Sequence, residues 1–222
     1  MSEEIKEIDK ESKAYKRAAG KGVMNLPNKL TISRVCMIPV FILFFYLHFT
    51  AHYFVALAVF TVASFTDFLD GRISRKYDLV TNLGKFLDPI ADKVLVLSAL
   101  VVFLSEPSIF TASAGLGNWT LIAAGCGVAV ILAREIIVSG FRMVASSAGM
   151  VIAADKIGKY KTVTQYFTVG AILIGAGICE LTDHIVGSII NYIGLGFFAL
   201  SVILTLVSGI NYIVKNIEVL KK

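Results

Sequence analysis

Residues 187–214 read GSIINYIGLGFFALSVILTLVSGINYIV, a stretch without a single charged side chain. A helix needs about 20 consecutive apolar residues to cross the hydrocarbon core of a bilayer. This stretch is longer than that, and further apolar stretches precede it along the chain. Overall, 56% of residues are hydrophobic and 17% are charged, against about 25% charged in a typical soluble domain. The sequence therefore predicts an all-α integral membrane protein.

Hydropathy predicts six transmembrane helices. They are placed at 30–50, 53–72, 87–105, 119–140, 162–180 and 187–214. The connections near Ala51, from Ser105 to Asn118 and from Glu180 to Gly187 contain no Lys or Arg, so all 21 basic residues fall on the opposite side. By the positive-inside rule, both termini are predicted to be cytoplasmic.

The chain is predicted to divide into a polar cytoplasmic extension, residues 1–23, and one transmembrane domain, residues 24–222. His48, His52 and His184 fall at the outer ends of the spans and are predicted to be solvated or to face lipid headgroups. Small residues in the later spans are interpreted as sites of close helix packing. These are Gly125, Gly127, Gly170, Gly175, Gly177, Gly194 and Gly196.

Four aspartates lie at the inner ends of two predicted spans. Asp67 and Asp70 are three residues apart, and Asp88 and Asp92 are four apart, so each pair shares one helical face. Carboxylates this close to lipid and to one another repel and require cations. Their hard oxygens suit Mg²⁺ or Mn²⁺, as one ion or a pair. A solvated network with neighbouring basic residues is the alternative, and it is weaker for Asp67, which lies within apolar sequence.

A basic cluster follows the fourth predicted span. Arg134 comes directly after VAVILA, and Arg142, Lys156, Lys159 and Lys161 precede the fifth span. Positive-inside topology alone accounts for Lys156 but not for Arg134, which is placed at membrane depth. Because arginine and lysine bind phosphate, the cluster predicts a pocket for an anionic, water-soluble substrate.

The aspartates belong to a longer pattern. Asp67-x-x-Asp70-Gly71-x-x-Ser74-Arg75, followed by Gly84-x-x-x-Asp88-x-x-x-Asp92, resembles the signature of the CDP-alcohol phosphatidyltransferase family, with Ser74 where the family usually has alanine. Residues 25–34 (NLPNKLTISR), 79–93 (LVTNLGKFLDPIADK), 133–142 (AREIIVSGFR) and 158–162 (GKYKT) resemble the bacterial members that make phosphatidylglycerophosphate.

The resemblance implies the CDP-alcohol phosphatidyltransferase fold and transfer of a phosphatidyl group from CDP-diacylglycerol to sn-glycerol 3-phosphate, with release of CMP. It implies two Mg²⁺ or Mn²⁺ ions on all four aspartates and Asp92 as the general base. The residues implied for CDP-diacylglycerol are Asn28, Thr31, Arg34, Gly71, Arg75 and Thr81. Those implied for the acceptor phosphate are Arg134, Arg142, Lys159 and Lys161.

The same resemblance implies a homodimer in the bacterial cytoplasmic membrane, with the active site facing the cytoplasm. Inositol phosphate is the main alternative acceptor, whereas serine is disfavoured by the basic cluster. A divalent-cation transporter is a third hypothesis, disfavoured because transport sites usually lie near the bilayer midplane. The net charge of +5 suggests contact with anionic lipid headgroups rather than nucleic acid, because the basic residues flank membrane spans.

Overall fold

The computed structural model describes residues 26–77, 82–110, 118–147, 156–182 and 184–216. Within these ranges, side chains are not described at 26–28, 67–77, 82–90, 92, 118, 146–147 and 156–157. The predicted extension 1–23 and Thr81 lie outside the described residues. In the described part the regular structure is helical, without strands. The long helices are α1 (Leu26–Tyr46), α2 (His52–Tyr77), α3 (Asn82–Phe103), α4 (Asn118–Ser147), α5 (Lys156–Leu181) and α6 (His184–Asn216).

Each predicted span corresponds to one helix, but α1 to α5 each extend at least four residues beyond the predicted bound at one end. Helix α2 continues to Tyr77 and α4 to Ser147, whereas α5 already begins at Lys156. A hydropathy profile delimits only the apolar part of a helix. Backbone hydrogen bonding from residue i to i−4 continues through polar residues as well. Helix α4 therefore carries both Arg134 and Arg142.

Among the described residues, four helices are long and apolar enough to cross a membrane: α1, α4, α5 and α6. Helices α2 and α3 contribute shorter apolar stretches, His52–Thr66 and Lys93–Phe103. The aspartate-bearing segment lies between these two stretches in sequence. The chain is thus a multi-pass membrane protein, and the six-span topology remains a prediction.

Burial in the helices is the reverse of that in a soluble protein. Large apolar side chains are exposed along the helices, including Leu43, Phe65, Ile136, Ile189 and Ile210. Small polar side chains are instead fully buried, including Thr31, Thr168, Ser201, Thr205 and Ser208. Lipid chains are as apolar as leucine, so apolar surface gains nothing from leaving them, and polar groups are the ones that must be buried within the protein.

The chain forms two compact units. The first comprises Met1–Tyr46 and Ala58–Leu95, and the second comprises Leu47–Leu57 and Val96–Lys222. In the first unit, α1 buries one face, and Phe41 on that face contacts Phe60 of α2 with ring centroids 6.0 Å apart. The buried residues of this α1 face are Thr31, Arg34, Ile38, Phe41 and Phe45.

In the second unit, α5 and α6 pack with their backbones in close approach at Gly175 and Gly187. A Cβ atom at Gly175 would lie 2.8 Å from the Gly187 carbonyl oxygen, and one at Gly187 would lie 2.7 Å from the Gly175 carbonyl oxygen. Gly127, Gly177 and Gly194 are also tightly packed, which confirms the interpretation from sequence. At Gly125, Gly170 and Gly196 a Cβ would meet no described atom of the same chain within 4 Å, so close packing stays a prediction at these three positions.

The histidines do not share one environment. His48 and His184 are exposed, but His52 is only 5% exposed, and its Nε2 lies 3.9 Å from Glu180 Oε2 at the end of α5. The prediction that His52 is solvated or faces headgroups is therefore wrong. The cause is a tertiary contact between the first turn of α2 and α5, which hydropathy does not detect.

We expect Gly175→Ala to lower the thermal stability of the protein in detergent, because overpacking a close contact costs about 1–3 kcal/mol. Gly170→Ala on the same helix is the matched control, since its Cβ would stand in open space. The control should be neutral or slightly stabilising, because alanine favours helix over glycine by about 1 kcal/mol. Equal melting temperatures for the two variants would contradict the packing described here.

Candidate functional site

The first pair of aspartates lies on α2, although their side chains are not among those described. Helix α2 is continuous from His52 to Tyr77. Helical spacing therefore places Asp67 and Asp70 in one row with Phe60 and Ala63, which are 3% and 0% exposed. Gly71 and Arg75 follow in the same helix.

The second pair lies on α3 in the corresponding way. Asp88 and Asp92 belong to the first half of Asn82–Phe103. Their spacing places them in one row with Ala91 and Leu95, both 0% exposed. The helical spacing of each aspartate pair is thus the same as that of buried residues on its own helix.

Two residues predicted to hold CDP-diacylglycerol have described side chains. Thr31 and Arg34 are three residues apart on α1 and are both completely buried. Burying a guanidinium is costly unless an anion compensates its charge. The backbone of Asn28 lies in the first turn of the same helix.

A cluster of buried charged groups lies in the second unit, where α4, α5 and α6 meet. Arg134 Nη1 donates a hydrogen bond to Glu135 Oε1 at 3.1 Å. Lys161 Nζ, from α5, donates to the same carboxylate oxygen. Arg134 Nη2 donates to Ser208 Oγ of α6 at 3.1 Å. Three helices are therefore joined through one arginine and one glutamate.

The cluster carries an excess positive charge. The side chains of Arg134, Glu135 and Lys161 are only 13%, 6% and 5% exposed. Two cations share one carboxylate, so the three side chains together have a formal charge of +1. In a medium of low dielectric constant an uncompensated charge is expensive. Among the described atoms, the buried Arg134 Nε also has no hydrogen-bond partner. A further acceptor beside Nε would complete the hydrogen bonding of Arg134.

Arg134 lies beside a glycine of α5 and beside an apolar groove between α4 and α6. Gly158 of α5 lies beside the guanidinium, where a Cβ would be 3.8 Å from Nη2. A groove of about 230 Å³ between α4 and α6 also reaches Arg134 and is otherwise lined mainly by apolar side chains. Arg134 thus lies beside both polar groups and a lipid-like surface.

Arg142 is held separately. Its Nε donates a hydrogen bond to the Tyr212 hydroxyl at 3.4 Å, and its guanidinium carbon lies 5.6 Å from the centre of the Tyr212 ring. That distance is within the range of a cation–π contact. Tyr212 is itself buried against Val138 and Phe141. Arg142 lies eight residues, about 12 Å along the helix, beyond Arg134.

The four residues predicted for the acceptor phosphate therefore differ in position. Arg134 and Lys161 meet through Glu135. Arg142 contacts Tyr212 instead. Lys159 is exposed on α5, and a residue two positions from Lys161 does not share its helical face.

No role was predicted from the sequence for Glu135, Ser208 or Tyr212. Glu135 had a detectable signal, since it is an acid placed directly beside Arg134 at the inner end of an apolar span. Ser208 and Tyr212 had none, because they are uncharged residues inside an apolar stretch whose inward face cannot be identified from hydropathy. Both are fixed by tertiary contacts with α4.

Comparison with known proteins identifies the same family as the resemblance of the sequence motifs. The family model for CDP-alcohol phosphatidyltransferase matches residues 24–207 of this chain. A relative in Bacillus subtilis (strain 168), named CDP-diacylglycerol–glycerol-3-phosphate 3-phosphatidyltransferase, is 35% identical over 212 residues, which cover 90% of this chain and 98% of the relative.

Relatives of the same name occur in other bacteria. The Rickettsia typhi protein is 37% identical over 191 residues, which cover 85% of this chain and 94% of the relative. The Shigella flexneri serotype 5b protein is 35% identical over 191 residues, which cover 85% and 93% respectively. On the extent of the family match and of these alignments, the chain belongs to the CDP-alcohol phosphatidyltransferase family.

Proposed function

We propose that this protein transfers the phosphatidyl group of CDP-diacylglycerol to sn-glycerol 3-phosphate, giving phosphatidylglycerophosphate and CMP. The observation that carries the proposal is the buried cluster of Arg134, Glu135 and Lys161, whose excess positive charge matches a phosphate on the acceptor. The names of the relatives support the same donor and acceptor.

A phosphorylated acceptor distinguishes this proposal from other activities of the same type. Serine and other acceptors without phosphate offer no anion to the buried Arg134, so the cluster argues against them. Inositol phosphate satisfies it as well as glycerol 3-phosphate does. The names of the relatives favour glycerol 3-phosphate, and a direct comparison of acceptors decides between the two.

The proposal includes a divalent-metal centre on Asp67, Asp70, Asp88 and Asp92. The donor set fits, because four carboxylates from two helices supply the hard oxygen ligands that Mg²⁺ and Mn²⁺ take. When bound, a pair of such ions would neutralise the diphosphate of the donor and stabilise CMP as it leaves.

The chain's own residues then have separate tasks. The Asp92 carboxylate takes the proton of the acceptor hydroxyl. The hydroxyl oxygen bonds to the phosphorus that carries diacylglycerol, and the bond from that phosphorus to the bridging oxygen breaks, so that CMP leaves with the electron pair. Arg134 holds the acceptor phosphate, helped by Lys161, and thereby orients the hydroxyl.

The donor is assigned to residues of the first unit. We infer that Arg34 and Arg75 compensate its phosphates and that Thr31 contacts its CDP part, with Asn28, Gly71 and Thr81 completing the set. The complete burial of Thr31 and Arg34 on one face of α1 supports this assignment. A buried arginine is a suitable partner for a diphosphate, since its planar fork binds two phosphate oxygens at once.

The active site is inferred to face the cytoplasm of a bacterial inner membrane, with six spans and both termini inside. The support is the distribution of charge: α1 and α2 are joined by 47–51, and α5 and α6 by 182–183, without Lys or Arg. A reporter protein that works only in the cytoplasm should therefore be active when fused to the C-terminus. Activity of a periplasmic reporter there would contradict the topology.

We also infer a homodimer. Gly125 leaves open space at its Cβ position in the described part of one chain, and such a small residue allows a helix of a second copy to approach closely. Light scattering in detergent should give twice the 24.0 kDa of one chain.

For the metal centre, we expect Asp92→Asn to lower the rate of CMP release from CDP-diacylglycerol and glycerol 3-phosphate by about a hundredfold or more. The reason is that this change removes both a metal ligand and the general base. Melting temperature should be nearly unchanged. Asp78→Asn is the matched control, because Asp78 lies between the two aspartate pairs and belongs to neither. This variant should keep its activity. Wild-type activity in Asp92→Asn, or none in the wild type with any alcohol, would overturn the proposal.

For the acceptor site, we expect Arg134→Ala to raise the KM for glycerol 3-phosphate more than tenfold, since a hydrogen bond to a charged group contributes about 1.5–3 kcal/mol. The KM for CDP-diacylglycerol should change less than about twofold. Lys215→Ala, which removes an exposed cation near the end of α6, is the control. A panel of glycerol, glycerol 3-phosphate and inositol phosphate identifies the acceptor, and glycerol as the best acceptor would contradict the anionic site.

A further inference from the structure

Two adjacent residues of α6, Ser208 and Gly209, both contact Arg134. The Ser208 hydroxyl accepts a hydrogen bond from Arg134 Nη2 at 3.1 Å and donates one to the Thr205 carbonyl oxygen at 3.2 Å. A hydroxyl has a single donor hydrogen. Because that hydrogen points to Thr205, the oxygen lone pairs remain oriented toward the arginine.

Gly209 fixes the other end of the same side chain. A Cβ atom at this position would lie 2.9 Å from Arg134 Cγ, 3.8 Å from Nε and 4.0 Å from Cδ. The Cγ atom is the second carbon of the arginine side chain and cannot move without a change of rotamer. The arginine stem therefore lies against the α6 backbone in space that only a glycine leaves open.

We infer that Ser208 and Gly209 are positioning residues for the acceptor phosphate: they hold Arg134 in the one rotamer in which its guanidinium faces the ligand. The inference rests on the proposed function. It adds α6 to the acceptor site, at two positions that lie beyond residue 207, where the match to the family model ends.

A fixed rotamer matters because arginine is long and flexible. A guanidinium that must be ordered when the ligand arrives loses side-chain entropy at that moment, which weakens binding. Glu135 and Ser208 occupy Nη1 and Nη2, and Gly209 accommodates the stem, so the side chain is ordered before the acceptor binds. Small displacements of a positioned group reduce rates strongly.

The first test is Gly209→Ala. Arg134 must leave its rotamer, so the KM for glycerol 3-phosphate should rise about tenfold or more, while the KM for CDP-diacylglycerol stays within about twofold. Gly196→Ala, on the same helix with open space at its Cβ, is the matched control and should leave both values unchanged.

The second test, Ser208→Ala, removes the hydroxyl without adding volume. We expect the KM for glycerol 3-phosphate to rise about tenfold. Ser201→Ala is the matched control, because Ser201 is equally buried on the same helix and its hydroxyl also donates to the carbonyl oxygen three residues earlier. This variant keeps the inference testable even if Gly209→Ala is unstable.

A double-mutant cycle separates positioning from general destabilisation. If Gly209 and Ser208 act through Arg134, neither variant should raise the KM for glycerol 3-phosphate further in an Arg134→Ala background. Stabilisation of the folded protein by glycerol 3-phosphate gives a readout independent of turnover. The shift in melting temperature should be smaller in both variants than in Gly196→Ala and Ser201→Ala.

The outcomes are distinct. A wild-type protein that releases no CMP on addition of glycerol 3-phosphate contradicts the proposed function. An active wild type, with Ser208→Ala and Gly209→Ala indistinguishable from their controls in KM and in ligand-induced stabilisation, overturns the positioning role alone. Equal increases in the wild-type and Arg134→Ala backgrounds also overturn it, because the two residues would then act without the arginine.

Discussion

The charged groups of the second unit constrain its helices, because each charge must be compensated away from water. Glu135 meets this requirement for Arg134 and Lys161, which come from different helices. The carboxylate thus fixes the spacing of α4 and α5 where these three residues meet, and Ser208 adds α6. A membrane bundle has little hydrophobic driving force between its helices, so such polar contacts determine helix placement more than they do in a soluble protein.

Glycine has two different roles along α6. At Gly187 it allows the backbone of α6 to approach that of α5, where each helix places a carbonyl oxygen in the space that a Cβ of the other would need. At Gly209 it accommodates a side chain, the stem of Arg134. The first role stabilises the helix pair, whereas the second orders a charged group. Replacement by alanine therefore has different consequences at the two positions.

The sequence predicted the helical membrane class and the family, because apolar run length and the spacing of four aspartates are local signals. It also identified Arg134, since a cation after VAVILA is costly at membrane depth. It could not identify Ser208 or Tyr212, because their role depends on which face of α6 turns toward α4. It misplaced His52, whose burial against α5 is a tertiary contact. The predicted metal ligands remain predictions, since the side chains of all four aspartates lie outside those described.

The two units divide the assigned residues. Thr31, Arg34 and the aspartate-bearing segments belong to the unit of Met1–Tyr46 and Ala58–Leu95, whereas Arg134, Glu135 and Lys161 belong to the other. On the proposed function, the first unit contains the groups for the shared CDP-linked donor and the second contains those for the acceptor. Acceptor preference can then change through residues such as Glu135, Lys161 and Ser208, without any change in the aspartates. The charge of the buried cluster, rather than the metal site, would select a phosphorylated acceptor.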